Sequence, residues 1–430
     1  MPISRRVAEL PRSGLDVVRD RAAELVARGR VVIDLATSGP DHAPPESAGQ
    51  ELARAALCGD AHRVPTERGL APLRRAVARW YLDHHGVDVD EESEVLILPG
   101  AGPGLFHLPL VACDPGDVVL VPDPSLPIYR TAAYLAGAEV VSVPLRPEVG
   151  SLPDLAGVPV ALARRARLLF LNYPNNPTGA GAPPAFFEEV VAVARGHHWL
   201  VCHDLSLSAW GSGHRSPSIL EAEGAGDCAV EIVSWSHTFG LTGWRLAAAV
   251  GGRELLEALA RILAAARVWA AAPVQQAGAA VLTAVAATGF LTARADGERA
   301  RRDALVAALQ SIGAVVRRDR LGPFLWVPCP KGRDSLGFSL WLLERVGVAV
   351  APGIAFGAGG EGFVRFALAA PSAAVEQAAE RLRELGPAGW CPGPGSLAAA
   401  PDAAVALRLD PGTWVGPVAG VPQDATLGCL

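Results

Sequence analysis

Residues 168–179 read Leu-Leu-Phe-Leu-Asn-Tyr-Pro-Asn-Asn-Pro-Thr-Gly. The segment begins with the short apolar run Leu168–Leu171 and continues into Asn, Pro and Gly, which favour turns. The helix-length stretch Pro184–His197 follows a few residues later. An apolar run, a turn and a helix in this order predict one β-α unit.

Six further apolar runs of similar length lie between residues 95 and 250. They lack polar alternation, which is typical of strands covered on both faces. Helix-length segments such as Ala71–His84 separate several of them. The runs are Val95–Leu98, Val118–Val121, Val140–Val143, Leu200–His203, Ile232–Ser234 and Ala247–Val250. With Leu168–Leu171 they predict an α/β domain that has a mostly parallel seven-stranded sheet and helices on both sides.

After Gly251 the pattern turns helical, and Glu254–Val268 and Pro273–Thr288 are predicted to be long helices. A second, smaller α+β domain follows, with the predicted helices Leu291–Ile312 and Ala373–Leu385 and the predicted strands Phe324–Val327, Val348–Ala351 and Val364–Ala369. We expect residues 1–45 to join this small domain, residues 46–288 to form the large domain, and residues 289–388 to form the small C-terminal domain. Residues 389–430 are rich in Gly, Pro and Ala and are predicted to be a flexible tail.

The composition excludes several classes of function. A net charge of −6 without a basic block gives no sign of nucleic-acid binding. The seven cysteines are scattered, so neither a zinc site nor a disulfide framework is indicated, and no metal is expected. No apolar run reaches the roughly 18 residues that span a bilayer, so we expect no membrane association and a cytoplasmic location.

Several motifs occur in an order that is typical of one family. They are Thr66–Arg74, Asp114–Asp117, Asn172–Gly179, Cys202–Asp204, Thr242–Arg245 and Pro352–Gly357. Over residues 30–385 the chain resembles the fold-type-I enzymes of pyridoxal 5′-phosphate (PLP), and specifically the LL-diaminopimelate aminotransferase branch of the class I/II aminotransferases. The resemblance implies the aminotransferase-like PLP fold type I, a homodimer with active sites at the subunit interface, and a small amino-acid-like substrate.

His237 stands where the resemblance places the lysine that attaches the cofactor. Residues 233–245 read Val-Ser-Trp-Ser-His-Thr-Phe-Gly-Leu-Thr-Gly-Trp-Arg, whereas the family has Ser-x-Ser-Lys-Thr followed by Gly-x-Arg. The family lysine binds PLP covalently and then transfers a proton. A histidine cannot form that stable bond, so the sequence predicts either PLP held without a covalent link or no PLP.

Other positions of the family site are kept. The resemblance implies that Asp204 pairs with the pyridine nitrogen, which holds the ring ready to accept electrons. Asp204 also follows an apolar strand, and ligands gather at the carboxyl ends of strands in open α/β sheets. Asn176 matches the asparagine at the ring hydroxyl. Ser234, Ser236 and Arg245 match phosphate-binding positions, where the planar fork of an arginine suits a phosphate.

The substrate end and the phosphate cup are only partly kept. Arg365 matches the arginine that binds the substrate carboxylate, with Asn176 and Ser38 beside it, although the family has a glycine near Ser38. The phosphate cup, the segment that holds the cofactor phosphate in the family, reads Gly-Ala-Gly-Pro-Gly over residues 100–104 and lacks the family serine. Ala101 and Gly102 match the start of the family helix, whose N-terminal amides could still bind an anion. Three family aromatics are also replaced. The replacements are Leu126 for the residue that stacks on the ring, Leu207 for a tyrosine after the aspartate, and Val64 for a tyrosine that reaches the partner subunit's phosphate.

Three hypotheses for His237 follow. PLP binds non-covalently and His237 acts as general acid or base; or PLP is absent and His237 with Asp204 performs acid–base chemistry on another substrate; or the protein is a non-catalytic scaffold. We expect a lyase, elimination or cyclisation step on an amino-acid-like intermediate of specialised metabolism, catalysed by His237 and Asp204. The alternatives are a genuine PLP aminotransferase-family transferase and a pseudo-aminotransferase scaffold.

Overall fold

A computed structural model describes residues 3–39, 42–207, 215–284, 290–317, 320–387 and 389–390. The strands in these residues are β1 (Ile33–Leu35), β2 (Val95–Leu98), β3 (Val118–Asp123), β4 (Glu139–Arg146), β5 (Leu152–Pro153), β6 (Ala166–Asn172), β7 (Leu200–Leu205), β8 (Ala229–Ser234), β9 (Ala247–Gly251), β10 (Phe324–Pro328), β11 (Val348–Pro352) and β12 (Phe363–Ala367). The helices are α1 (Arg5–Ala8), α2 (Gly14–Ala27), α3 (Glu46–Ala56), α4 (Ala71–His85), α5 (Ala101–Ala112), α6 (Pro127–Ala136), α7 (Val160–Ala163), α8 (Pro184–His197), α9 (Arg253–Ala265), α10 (Ala272–Ala284), α11 (Phe290–Ser311), α12 (Ser335–Val346) and α13 (Ser372–Arg383).

Eight strands form the central sheet in the order β2-β9-β8-β7-β6-β3-β4-β5. The strands from β8 to β4 in that order are parallel, while β9 is antiparallel to both of its neighbours. All seven predicted strands lie in this sheet. The eighth, β5, is a two-residue strand that pairs antiparallel with the end of β4. Sequence patterns missed it because two residues carry no periodicity.

Helices cover both faces of this sheet. Alternate residues of each strand point to opposite faces of the sheet. In β3, Val118 and Leu120 pack with helix α8 on one face. Val119 and Val121 pack with helices α5, α6 and α9 on the other face. Helices α4 and α10 complete a further cluster around β2 and β9. The predicted α/β architecture, with buried strands between two helical layers, is confirmed.

A second sheet has the order β1-β11-β12-β10. Strand β1, from the N-terminal segment, pairs parallel with β11, and helices α11, α12 and α13 pack on the sheet. Trp390 lies within the predicted tail, yet its ring is buried against Phe338 and its indole nitrogen donates to the Pro328 carbonyl at 3.0 Å. Residues 391–430 of the predicted tail lie outside the described residues. In the part of the chain that the structure describes, no helix combines the length and apolarity needed to cross a bilayer.

A buried ion pair joins two central strands. His203 of β7 and Glu231 of β8 are both fully buried, and His203 Nδ1 lies 2.7 Å from Glu231 Oε2. His203 Nε2 lies 3.1 Å from the Tyr173 carbonyl, so the ring faces acceptors on both sides and donates from both nitrogens. Glu231 also accepts from the hydroxyls of Tyr81 at 2.7 Å and Ser218 at 2.9 Å.

The same network fixes the charge of Glu231. Burial alone raises the pKa of this carboxyl, but the hydrogen bond and charge of His203 outweigh burial, and the pKa ends below its ordinary value. The pair therefore contributes stability above the pKa that Glu231 has in the unfolded chain, and this contribution is lost as the pH falls through its lower folded pKa.

We predict that Glu231→Gln lowers the free energy of unfolding by about 3–5 kcal/mol, because it leaves the His203 charge buried without its partner. The matched control is Glu139→Gln, which breaks the half-exposed pair with Arg165 and should cost about 1 kcal/mol or less. Guanidinium denaturation at neutral pH measures both. Equal losses in the two variants would contradict the prediction.

Candidate active site

The register of the central sheet brings several loop residues to one edge. Leu98 of β2 pairs with Ala247 of β9, which in turn pairs with Ser234 of β8. On the next strands, Asp204 of β7 pairs with both Ile232 of β8 and Asn172 of β6. The chain leaves β8, β7 and β6 at this edge, where ligands bind in open α/β sheets.

Arg245 and the start of α5 form the positively polarised end of the site. Gly100, at the N-cap of α5, has φ +91° and offers no side-chain cap, and Pro103 carries no amide hydrogen. The amides of Ala101 and Gly102 are therefore the donors at this helix end. A Cβ on Gly100 would lie 2.6 Å from Arg245 Nη2, so only glycine lets the guanidinium lie here. Amides and guanidinium together suit an anion.

Ser234 and Ser236 lie beside this anion site. Their hydroxyl groups are 3.1 Å apart, both side chains are buried, and the Ser234 hydroxyl also lies 3.4 Å from the carbonyl of Leu246. His237 follows in the turn after β8, which is closed by a 2.8 Å bond from the Leu241 amide to the Ser236 carbonyl. The structure therefore brings His237 to the same edge of the sheet as the two serines.

Asp204 lies at the end of β7 and is fixed by three donors. Its Oδ2 accepts from the Tyr129 hydroxyl at 2.7 Å, and its Oδ1 accepts from the Ser206 amide at 3.0 Å and hydroxyl at 2.5 Å. Its carbonyl accepts from Asn172 Nδ2 at 2.8 Å. His203, the preceding residue, points to the opposite face of the sheet and bonds to Glu231 instead.

Sequence reasoning missed Tyr129 and Ser206. Tyr129 is on α6, 75 positions before Asp204, and the two meet only because β3, β6 and β7 are adjacent in the sheet. No local pattern encodes that order of strands. Ser206, two residues after the aspartate, has the spacing of a side chain that bonds back to a neighbouring carboxylate, and this signal was available in the sequence.

Arg365 and Asn176 meet at the other end of the site. Arg365 Nη1 donates to Asn176 Oδ1 at 2.8 Å, and Nη2 donates to the Ala36 carbonyl at 2.7 Å. The guanidinium carbon lies 4.1 Å from the Phe324 ring centre and 4.7 Å from that of Phe356. The backbone N–H of Asn176 in turn donates to Asn172 Oδ1 at 2.7 Å.

The Arg365 guanidinium is buried, and its two hydrogen-bond partners among the described residues, Asn176 and the Ala36 carbonyl, are neutral. Its Nε has no hydrogen-bond partner in the described part of the chain. Burial lowers the pKa of Arg365 to about 9, although the negative charge of Asp34 opposes this effect. A buried guanidinium in this state is stabilised by any carboxylate that reaches it.

The remaining predicted positions are placed differently. Ser38 lies two residues beyond Ala36, and its buried hydroxyl has no partner among the described residues. Leu207 packs against Phe324, so it links the end of β7 to the small sheet. Leu126 is half-buried at the start of α6. Val64 is 70% exposed and is not part of the site within one chain. No cluster of three metal-ligating side chains occurs in the described ranges.

Comparison with known proteins gives a consistent family. Residues 30–382 match the family model "Aminotransferase class I and II". The chain is 40% identical to the LL-diaminopimelate aminotransferase of Moorella thermoacetica, over 90% of this chain and 98% of that enzyme. It is 41% identical to the enzyme of the same name from Syntrophobacter fumaroxidans, over 84% of this chain and 93% of the relative.

The solved structures agree. BacF from Bacillus subtilis superimposes with a TM-score of 0.85 at 31% identity, covering 90% of this chain and 99% of that one. The expected aminotransferase-like PLP fold type I is confirmed.

The expectation of a lyase, elimination or cyclisation step is wrong, because the two relatives named above are both aminotransferases. That expectation gave His237 and a few other replaced positions more weight than the whole chain, whereas similarity over 90% of its length favours the shared reaction. Specialised metabolism, the homodimer and the cytoplasmic location stay predictions. The chain belongs to the class I and II aminotransferase family.

Proposed function

We propose that this protein is a PLP-dependent aminotransferase that acts on a small amino acid of the diaminopimelate class and holds its cofactor without a covalent bond. The observation that carries the proposal is Arg365. A buried guanidinium that lacks a carboxylate partner among the described residues and bonds directly to Asn176 suits the α-carboxylate of an amino acid. The names of the relatives support diaminopimelate as the substrate.

The residues present fit PLP at each of its polar groups. The phosphate would be held by the amides of Ala101 and Gly102, by Arg245 and by the hydroxyls of Ser234 and Ser236. The Arg245 guanidinium needs the space that Gly100, without a side chain, leaves open. Asp204 would hold the pyridine nitrogen, and Asn176 the ring oxygen. When bound, the cofactor supplies an electron-accepting ring.

The chain offers no lysine to attach the cofactor at this site. Lys331 is the one lysine in all 430 residues. Lys331 is exposed in a turn that follows the Pro328 end of β10. Arg365 contacts Phe324, at the opposite end of the same strand. Covalent attachment is therefore not part of the proposal. His237, next to the paired serines, takes the role of the group that moves a proton during amino transfer.

Two further parts of the proposal rest on the family. The substrate would place one carboxylate on Arg365, with the Ser38 hydroxyl as an additional donor nearby. A second copy of the chain would cover the exposed segment around Val64, as expected for a family that builds its sites at the subunit interface.

We predict that Arg365→Gln lowers kcat/KM for LL-diaminopimelate with a 2-oxo acid acceptor by about 10- to 100-fold, because a charge-assisted hydrogen bond contributes about 1.5–3 kcal/mol. Steady-state kinetics measure the effect. The control is Arg333→Gln, an exposed arginine of the same domain, which should leave kcat/KM unchanged. An unchanged value in the Arg365 variant would rule out carboxylate binding by Arg365.

We predict that Arg245→Gln raises the dissociation constant of PLP about tenfold or more but leaves that of pyridoxal, which lacks the phosphate, unchanged. Equilibrium titration followed by absorbance gives both constants. Arg261→Gln, an exposed arginine of α9, is the matched control and should change neither. If both ligands weakened equally in the Arg245 variant, a phosphate-specific role would be untenable.

We predict that the Lys331→Arg variant, which has no lysine, keeps its amino-transfer rate within about twofold. The His237→Ala variant should lose about a hundredfold or more of this rate, as expected when a general acid–base group is removed. PLP binding should persist in both variants. Rates come from coupled assays, and intact mass after borohydride reduction reports any covalent adduct. Loss of transfer in Lys331→Arg, or full activity in His237→Ala, would refute the assignment.

A further inference from the structure

The Asp204 carboxylate has few positions left for another donor. An ionised carboxylate offers about four lone-pair positions, two on each oxygen. The Ser206 amide and hydroxyl take both positions on Oδ1, at 3.0 and 2.5 Å. The Tyr129 hydroxyl takes one position on Oδ2, at 2.7 Å. Among the donors of the described residues this leaves one acceptor position on Oδ2, and a ligand N–H that binds there shares this oxygen with Tyr129.

The surroundings of Tyr129 keep its hydroxyl protonated as a hydrogen-bond donor to Asp204. The side chain is fully buried, and its ring stacks on Phe170 with the centroids 4.7 Å apart and the planes 13° from parallel. Burial, reinforced by the charge of Asp204, raises the pKa of Tyr129 well above its ordinary value, so the phenol keeps its proton. The hydroxyl therefore still donates to Asp204 at a pH at which an ordinary tyrosine begins to ionise.

We propose that Tyr129 is a positioning residue that sets how strongly Asp204 holds a proton on the ring nitrogen of a bound pyridine ligand. The inference rests on the proposed function. Tyr129 and Ser206 orient the carboxylate and leave only Oδ2 open, and the phenol O–H withdraws charge from that oxygen. A carboxylate that already accepts three hydrogen bonds stabilises a pyridinium less than one that accepts two.

The probe is pyridoxamine 5′-phosphate labelled with ¹⁵N in the ring, because it has no aldehyde and its binding needs no lysine. The ¹⁵N chemical shift of the bound ligand reports protonation of the ring nitrogen as the pH is varied. In Tyr129→Phe the midpoint of this titration should move upward by about one pH unit, the size expected for one hydrogen bond to a charged group.

Two further variants complete the test. Ser206→Ala removes one donor from Oδ1 and should move the midpoint in the same direction by a smaller amount. Tyr134→Phe removes a phenol from the same helix, where its hydroxyl bonds to Glu9 instead, and should leave the midpoint unchanged. If Tyr129→Phe fails to fold, Ser206→Ala decides the question, since its side chain is only partly buried.

The outcomes separate the two proposals. A wild-type protein that does not bind the probe would overturn the proposed function and this inference with it. A wild-type protein that binds the probe, with midpoints in Tyr129→Phe and Ser206→Ala at or below the wild-type value, would overturn the role of Tyr129 alone. An upward shift in Tyr134→Phe equal to that in Tyr129→Phe would also overturn it.

Discussion

The hydrogen-bonded register of the central sheet is the constraint on which the candidate site depends. Ser234, Ala247 and Leu98 are neighbours across three strands, and Asp204 and Asn172 are neighbours across two more. A shift of one residue in any pair would move alternate side chains to the opposite face. Asp204 would then point into the layer that His203 now occupies, so the register fixes which side chains face the ligand.

Buried charge is distributed in two distinct ways around this sheet. His203 and Glu231 neutralise each other and are surrounded by further hydrogen bonds, so this pair has no need of a ligand. Arg365 is equally buried but has only neutral partners and aromatic rings in the described part of the chain. The first arrangement stabilises the fold, whereas the second favours binding of an anion. This contrast, rather than burial itself, separates a buried charge that needs no ligand from one that suits an anion.

The replaced positions of the site affect its apolar surroundings more than its polar groups. Leu207 packs between β7 and Phe324, and Leu126 lies half-buried at the start of α6, so both serve the core. Polar groups that would suit a phosphate and a pyridine nitrogen lie at the edge of the central sheet, and Arg365, which would suit a carboxylate, lies on β12 of the second sheet. This distribution supports the proposal that His237 belongs to an aminotransferase site that holds its cofactor without a covalent bond.

The sequence by itself determined seven of the eight strands of the central sheet and three of the four strands of the second sheet, because apolar periodicity and turn residues are local signals. It also determined the family, since the Asn172–Gly179 motif and its companions are specific. Asp204, Asn176, Arg245 and Arg365 are its predicted site residues. The tertiary structure alone decided the contacts between distant segments. The order β3-β6-β7 brings Tyr129 to Asp204, and the pairing of β1 with β11 brings the Ala36 carbonyl to Arg365. These contacts depend on strand order and packing, which no local stretch of sequence encodes.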